Sequence, residues 1–265
     1  MIPSWIEKLF HSIADGLIAA LPRTLPSKEK LEECRLVSHR GEHDNRQILE
    51  NTLAAFDRVR DGGVWGMELD VRWTKDLQPI VFHDAGFQRL FGSASMVNSM
   101  TIAEIRSEYP VIPSLEEVIL RYGKKLHLMI EIKEEAYPDP AYQSQVMRDL
   151  FSQLEPQKDF HFLSLNPEMF EFIRFVPPQT FLPISQTNVH ALSEIAIRKN
   201  YGGITGHYLF VTDRVKTRHQ GIGQKVGTGY ANSKNCLFRE INRGVDWIFS
   251  DEALNMQSIV SNFGH

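Results

Sequence analysis

A small set of residues supplies the carboxylates, imidazoles and cations needed to cleave a phosphodiester with the help of a metal ion. The motifs that hold them are His39-Arg40-Gly41, Glu68-Leu69-Asp70, His83-Asp84 and Glu131-Ile132-Lys133. Each motif lies at or near the end of a short apolar run, where the strands of a barrel could bring the set together. Residues two apart in a strand point to the same face, so the charged residues within one motif project together. The pattern therefore predicts a single site.

The three carboxylates, on Glu68, Asp70 and Glu131, predict a site for one divalent cation. An all-oxygen ligand set suits Ca²⁺ or Mg²⁺ far better than zinc. Without a cation, acids that face one another inside a barrel would repel each other and would be poorly solvated. Each acid taken alone is more commonly a salt-bridged or solvated residue, so the prediction depends on the whole set.

The histidines and cations predict proton transfer and phosphate binding. Imidazole titrates near neutrality, which suits His39 and His83 to exchange protons with phosphoester oxygens. Arg40 offers a charged fork to a phosphate, and Lys133 offers a point charge. Gly41 lets the backbone turn sharply, so that Arg40 can reach the same site as His39. A lone histidine at a strand end is more often a hydrogen-bonded core residue, and that reading is kept for the other eight of the ten histidines.

Alternating strands and helices must position these residues. Apolar runs of strand length alternate with helical patterns, which predicts parallel β/α units. About eight such units favour a closed (β/α)₈ TIM barrel over an open sheet. The stretch from Ala85 to Pro113 is expected to be a small insertion after the second barrel strand region, beside the active face. Strands are predicted at 35–38, 66–71, 79–82, 125–132, 161–165, 180–184, 202–205, 225–228 and 246–249. Helices are predicted from residue 53 and at 115–122, 140–154, 167–175 and 192–199. Within 101–107, Thr101 and Glu104 stand at capping-box spacing, which marks the start of a further helix.

An extra amphipathic helix is predicted at the beginning of the chain. Apolar residues from Ile2 to Leu21 recur at three- and four-residue intervals. Charged residues interrupt them, so no apolar span is long enough to cross a membrane, and the pattern does not match a secretory signal. The polar face is not basic, which favours packing on the protein body over contact with a membrane surface. We therefore divide the chain into an N-terminal helix and linker, residues 1–30, and a barrel domain, residues 31–265.

Composition narrows the possible partners. Hydrophobic residues make up 42% of the chain and charged residues 23%, as in an ordinary globular protein. The net charge is −4 without a basic block, which argues against a nucleic-acid partner. Two widely spaced cysteines, Cys34 and Cys236, do not form a disulfide framework. A reducing compartment such as the cytoplasm is therefore expected.

The motifs resemble those of the glycerophosphodiester phosphodiesterase family, in collinear order from about Leu36 to Asp251. The matching segments are His39-Arg40-Gly41, Glu50-Asn51-Thr52 with Ala55-Phe56, Glu68-Leu69-Asp70-Val71, Thr74-Lys75-Asp76, Val81-Phe82-His83-Asp84, Ile112-Pro113-Ser114-Leu115-Glu116-Glu117-Val118, Glu131-Ile132-Lys133 and Ser250-Asp251. The resemblance implies a (β/α)₈ barrel with a small insertion. It also implies that the three carboxylates bind a divalent cation, that His39 and His83 are the acid/base pair, and that Arg40 and Lys133 hold the substrate phosphate.

The predicted reaction is metal-dependent hydrolysis of a small-molecule glycerophosphodiester to sn-glycerol 3-phosphate and an alcohol. His83 is expected to be the acid and His39 the base. The family commonly carries Trp-Thr-Val-Asn in its seventh strand, where this chain has Gly227-Thr228-Gly229-Tyr230. An aromatic residue at the substrate end of the pocket is therefore absent or replaced by Tyr230.

Two other functions are compatible with the residues. A phospholipase-D-like or lyase activity on lysophospholipids would use a similar barrel site, and the N-terminal helix and the altered seventh strand are its support. A non-catalytic phosphate-binding barrel would be expected to lack a metal ligand or a catalytic histidine. Because all of these residues are present, the non-catalytic alternative ranks last.

Overall fold

A ring of parallel strands organises the chain in this computed structural model, which describes Gly16 and residues 18–264. The strands are β1 (Leu36–Ser38), β2 (Gly66–Trp73), β3 (Pro79–Val81), β4 (His127–Ile132), β5 (Phe160–Ser164), β6 (Phe181–Ser185), β7 (Gly203–His207), β8 (Lys225–Gly229) and β9 (Trp247–Ser250). Within the described residues the order is β1-β9-β8-β7-β6-β5-β4-β2, and pairing of β1 with β2 closes the ring. The predicted eight-stranded barrel is confirmed.

The strand β3 lies outside the ring. It pairs antiparallel with the end of β2, so that Val71 faces Val81 across the pair. The turn between them is held by Thr74, whose hydroxyl donates to Asp76 at 2.6 Å and accepts from the Gln78 N–H at 2.9 Å. The hairpin carries the chain back over the barrel mouth and leads into the segment that bears His83.

Helices cover the outside of the barrel. They are α1 (Lys28–Glu32), α2 (Leu53–Asp61), α3 (Gln88–Phe91), α4 (Ile102–Glu108), α5 (Leu115–Tyr122), α6 (Pro140–Leu150), α7 (Val189–Arg198), α8 (Asp213–Gln220), α9 (Lys234–Arg243) and α10 (Ala253–Gly264). Short 3₁₀ helices span Val97–Ser99, Pro167–Ile173 and Pro178–Thr180. Polar caps begin many of them; Thr52 caps α2, and capping boxes begin α4 and α5.

Several helical predictions differ from the structure. The segment at 167–175, predicted as an ordinary helix, forms a 3₁₀ helix, and α6 ends four residues earlier than predicted. Helices α1, α3, α8, α9 and α10 are absent from the predicted set. Only Val215 and His219 of α8 are buried, so its sequence lacks the wide apolar stripe by which a helix is recognised.

Apolar side chains fill three kinds of space. The largest cluster lies between the strands and the surrounding helices. A second fills the lower barrel interior and consists of Val37, Met129, Leu163, Leu182, Trp247 and Phe249. The insertion has its own core, formed by Ile80, Phe82, Phe87, Val97, Met100, Ile105, Tyr109 and Ile112. The insertion is therefore a packed unit fixed to the barrel, since Ile80 belongs to β3.

The predicted N-terminal helix lies mostly outside the described residues. Of its predicted length, Gly16 and residues 18–20 are described as helical. Ile18 packs against the main core, and the Asn235 amide donates to the Ala19 carbonyl at 2.6 Å. Among the described residues, no helix has the length and apolar character needed to cross a membrane.

Candidate active site

The predicted site residues meet at the carboxyl ends of the barrel strands. His39 directly follows β1, Glu68 and Asp70 lie in β2, and Glu131 lies in β4. Because β2 and β4 are neighbours in register, Asp70 pairs directly with Glu131. Lys133 comes one residue after β4. This end of a (β/α)₈ barrel is where such folds carry their active sites.

The carboxylates of Glu68, Asp70 and Glu131 form a compact buried cluster. One oxygen from each lies within 4.8 Å of the others. The ammonium of Lys133 bridges two of them, at 2.6 Å from both Asp70 Oδ1 and Glu131 Oε1. The cluster therefore brings three acids and one cation into contact, as the strand alternation predicts.

Charges within the cluster set the pKa values in opposite directions. Burial raises the pKa of Glu68 to about 8, and the charge of Asp70 adds to this shift. Burial also acts on Asp70, but Lys133 and Arg40 outweigh it and hold the pKa of that carboxyl well below its usual range. Among the described residues, Glu68 Oε1 is buried without a hydrogen-bond partner. An oxygen in that state is a free ligand position for a cation.

A tight turn after β1 delivers Arg40 to the cluster. Arg40 and Gly41 have φ angles of 59° and 81°, in the left-handed region. A Cβ on Gly41 would lie 2.8 Å from the Cβ of Ala55, so glycine fits this position on two counts. The Arg40 N–H donates to Glu68 Oε2 at 3.1 Å, and its guanidinium lies 3.4 Å from Asp70. The turn thereby places a cation beside the acids.

Each histidine contacts a carboxylate. His39 Nδ1 lies 2.7 Å from Asp251 Oδ1, and its Nε2 lies 3.9 Å from Glu68. Burial lowers the pKa of His39, but the Asp251 hydrogen bond and the charge of Glu68 outweigh it, so the net shift is upward. His83 Nδ1 lies 2.7 Å from Asp84 Oδ1, and burial lowers its pKa. Both pairings leave Nε2 as the nitrogen available for proton exchange.

Asn51 and Asp251 also contact the site residues. Apart from their place in or beside a motif, nothing in the sequence indicates these contacts. Asn51, with φ 57°, donates its amide to Asp70 Oδ2 at 2.7 Å and accepts the Asp70 N–H at 3.3 Å. Asp251, the partner of His39, is itself held by the Asn232 amide at 2.9 Å. Adjacency to a motif could have found them, but their partners lie far away along the chain.

Tyr230 lies at the mouth of the site. It directly follows β8, with φ 71°, and its ring meets that of His39 edge-on at a centroid distance of 5.7 Å. The ring of His207 lies 5.4 Å away on another side. Tyr230 as a whole residue is 43% exposed. An aromatic residue is therefore present beside His39, contributed by the strand that departs from the family pattern.

The fold and the site define a (β/α)₈-barrel hydrolase of phosphodiesters. A model of the glycerophosphoryl diester phosphodiesterase family matches residues 39–253, and the chain belongs to that family. The predicted enzyme class, a glycerophosphodiester phosphodiesterase, is thereby confirmed, and neither alternative is favoured. The family is metal-dependent, and the buried acid cluster could hold an ion.

Two known relatives match this chain over nearly their whole length. A glycerophosphodiester phosphodiesterase of Caldanaerobacter subterraneus subsp. tengcongensis is 25% identical over 86% of this chain and 98% of its own. One from Bacillus altitudinis is 27% identical over 82% of this chain and 94% of its own. Among solved structures, a putative glycerophosphodiester phosphodiesterase from Galdieria sulphuraria has a TM-score of 0.76 at 19% identity, over 86% and 98%. An Oleispira antarctica phosphodiesterase, solved with the product sn-glycerol-3-phosphate, has a TM-score of 0.72 at 23% identity. The match covers 89% of this chain and 97% of that one. These structural likenesses show the fold.

Proposed function

We propose that this chain hydrolyses glycerophosphodiesters to sn-glycerol 3-phosphate and an alcohol, with Ca²⁺ or Mg²⁺ held by Glu68, Asp70 and Glu131. The observation that carries the proposal is the cluster of three buried carboxylates beside two cations. Burying such acids is costly unless a cation compensates them. The product of the Oleispira antarctica relative adds support for the glycerol 3-phosphate half of the substrate.

The donor set fits a hard divalent cation. All three donors are carboxylate oxygens, and Glu68 Oε1 is buried without a hydrogen-bond partner among the described residues. When bound, such a cation supplies Lewis-acid polarisation of the phosphoryl oxygens. Arg40 and Lys133 would hold the same phosphate by charge-assisted hydrogen bonds. Lys133 can do so because its ammonium already lies at the centre of the cluster.

One histidine would remove a proton from the nucleophile, and the other would protonate the leaving alkoxide. We assign His39 as the base, because Asp251 at 2.7 Å stabilises the imidazolium that forms when Nε2 accepts a proton. We assign His83 as the acid that protonates the leaving alkoxide. Its partner Asp84 also contacts Arg89 at 2.6 Å, which weakens the hold of Asp84 on the imidazolium proton. An acid that gives up its proton readily suits this step.

Histidine variants test these roles. We expect His39→Ala and His83→Ala each to abolish turnover of a glycerophosphodiester while the circular dichroism spectrum stays unchanged. His190→Ala, at an exposed position, is the matched control and should be fully active. The assay is coupled release of glycerol 3-phosphate. Near-normal activity of both site variants would refute the assignment.

Cation dependence needs a readout besides turnover. Ca²⁺ or Mg²⁺ should raise the melting temperature of the wild-type chain, because a ligand that binds only the folded state stabilises it. Glu68→Gln should remove most of that rise. Activity that survives full chelation with EDTA would overturn the cation proposal. A panel of lysophospholipids run in parallel separates glycerol 3-phosphate release from lysophosphatidic acid release, the product of a phospholipase-D-like reaction.

We also propose that residues 1–30 form a helix and linker packed on the barrel domain, in a reducing compartment such as the cytoplasm. Supporting observations are the contacts of Ile18 and Ala19 with the body and the free thiol of Cys34. Removal of residues 1–20 should lower stability without changing binding to lipid vesicles. Vesicle binding that depends on those residues would contradict this proposal.

A further inference from the structure

The insertion brings one charged side chain to the rim of the site. Its helix α3 carries Arg89, whose guanidinium contacts two carboxylates at once. The Nε donates to Asp84 Oδ2 at 2.6 Å. The Nη1 and Nη2 donate to Glu50 Oε2 and Oε1 at 3.0 and 2.5 Å. Arg89 therefore joins two acids that belong to different parts of the chain.

Both acids are partners of residues proposed above to act on the substrate. Asp84 Oδ1 lies 2.7 Å from His83 Nδ1, on the oxygen that Arg89 leaves free. Glu50 Oε1 accepts from Arg40 Nη1 at 3.1 Å. A continuous chain of charge-assisted contacts thus runs from the imidazole to the phosphate-binding guanidinium, with Arg89 at its centre.

We propose that Arg89 is a positioning residue that orients His83 through Asp84 and keeps Arg40 available to the substrate phosphate through Glu50. This inference rests on the roles proposed for His83 and Arg40. The side chain of Arg89 is 43% exposed, against 4% for Glu50 and 24% for Asp84. It acts through its neighbours, and the two contacts have different consequences.

The contact with Asp84 orients the acid. The Asp84 carboxylate has one oxygen on His83 and the other on Arg89, so its rotation is fixed from both ends. Without Arg89, this partly exposed carboxylate would be free to turn, and the imidazole would lose its fixed direction. Loss of alignment by about 1 Å can cost on the order of 100-fold in rate. The expected effect is on kcat.

The contact with Glu50 governs Arg40. The Glu50 side chain is only 4% exposed, and two guanidinium groups and the Asn45 amide satisfy it. Burial alone would raise the pKa of Glu50, but Arg89, Arg40 and Asn45 together lower it to about 2. Without Arg89, this buried anion would have Arg40 as its sole cationic partner among the described residues and would draw it away from the substrate. The expected effect is a higher KM.

Packing of the insertion fixes the position of Arg89. Phe87, immediately before α3, is fully buried and stacks on Tyr109 at a centroid distance of 4.3 Å. It also contacts Phe82 at 5.2 Å, and Phe82 is the residue before His83. The core of the insertion therefore fixes the segment that carries Asp84 as well as the helix that carries Arg89. This gives the insertion a part in aligning the site.

The test compares Arg89→Gln with a matched control in the full-length chain at saturating Mg²⁺ or Ca²⁺. Arg121 is the control, since it is 45% exposed and forks onto the Asp57 carboxylate on the outside of the barrel. We expect Arg89→Gln to lower kcat about 10- to 100-fold on glycerophosphocholine and to raise KM severalfold. Arg121→Gln should stay within about twofold of wild type in both.

A second substrate identifies the route through His83. A p-nitrophenyl ester of glycerol 3-phosphate releases a leaving group that needs no protonation, so loss of the acid matters less. The kcat defect of Arg89→Gln should therefore shrink on this substrate, while its KM defect remains. Combining it with Asp84→Asn should cost little more in kcat than either change alone, because both remove the same alignment.

Equal kinetics for Arg89→Gln and Arg121→Gln would overturn the proposal. So would a kcat loss that is the same for both leaving groups, since it would indicate a structural role. If the Gln variant does not fold, Arg89→Lys provides the test, because lysine keeps the charge but cannot contact both carboxylates with a fork. Values of kcat and KM equal to wild type in Arg89→Lys would refute the proposal. Wild-type turnover of glycerophosphocholine, measured alongside, separates these outcomes from failure of the proposed function.

Discussion

The substitution Gly41→Ala should damage both stability and activity, because the turn at this glycine holds Arg40 beside the acids. Gly41 has φ 81°, and a Cβ there would lie 2.8 Å from Ala55 Cβ and 3.0 Å from a ring carbon of Phe56. Both neighbours are fully buried at the beginning of α2. The added methyl therefore cannot be accommodated without a shift of the turn or of the helix.

The magnitude follows from two contributions. A left-handed conformation costs a residue with a Cβ about 1–2 kcal/mol. Forcing a methyl into a filled space costs about 1–3 kcal/mol. The free energy of unfolding should therefore fall by about 2–5 kcal/mol. If the turn moves rather than the helix, Arg40 leaves its contacts with Glu68 and Asp70, and kcat/KM should fall by roughly 100-fold for a displacement near 1 Å.

Urea denaturation and steady-state kinetics measure the two effects. Gly244→Ala is the control, since Gly244 has φ 71° but a Cβ added there would meet no other described atom within 4 Å. It should lose only about 1–2 kcal/mol, from the backbone conformation alone, with unchanged kinetics. Equal losses of stability in the two variants would refute the steric part of the reasoning. Normal kcat/KM in Gly41→Ala would refute the part that concerns Arg40.

Three further changes test other contacts. Asn51→Ala should lower cation affinity by roughly 10- to 100-fold in calorimetry, because it removes the amide that orients Asp70 at 2.7 Å; Mg²⁺ or Ca²⁺ affinity equal to wild type would contradict this. Tyr230→Ala should alter the ranking of leaving alcohols in a substrate panel while glycerol 3-phosphate remains the product, and an unchanged ranking would count against a role in specificity. The buried imidazoles of His127 and His161 lie 2.8 Å apart, and burial lowers the pKa of His127 to about 4 and that of His161 well below its usual value. Since the unfolded chain binds more protons at both histidines between pH 6.5 and about 4, the free energy of unfolding should fall across that window, by about 3 kcal/mol from His127 alone and further from His161. Replacing both by Phe should flatten the dependence in pH-resolved urea titrations.

The sequence predicted the parts of the site that follow from local rules. Strand alternation placed Glu68 with Asp70 and Glu131 with Lys133, and parallel register then brought the two strands together. The barrel followed from the alternation of strands and helices. These inferences depend on periodicity and on motif order, which are properties of short segments.

What the sequence did not predict depends on contacts between distant segments or on weak local signals. The partner of His39, Asp251, lies at the other end of the barrel domain and becomes a neighbour only because β1 pairs with β9. The position of β3 outside the ring follows from the tight turn that precedes it rather than from its composition, which resembles that of the barrel strands. Helix α8 carries too few apolar residues to show a periodic stripe.

The charge balance at the site is consistent with the proposal that Lys133 pairs first with the buried carboxylates and then with the substrate phosphate. In the described structure it neutralises Asp70 and Glu131, at 2.6 Å from each, while Arg40 lies beside Asp70. When all three acids are ionised, they exceed these two cations by one charge. A divalent cation would reverse that balance, and a singly charged phosphodiester would then cancel it. Because the acids would have the cation as a new partner, Lys133 could turn toward the phosphate without leaving a buried carboxylate uncompensated. In the role proposed for it, the same side chain would thus stabilise the fold before substrate binds and hold the phosphate afterwards.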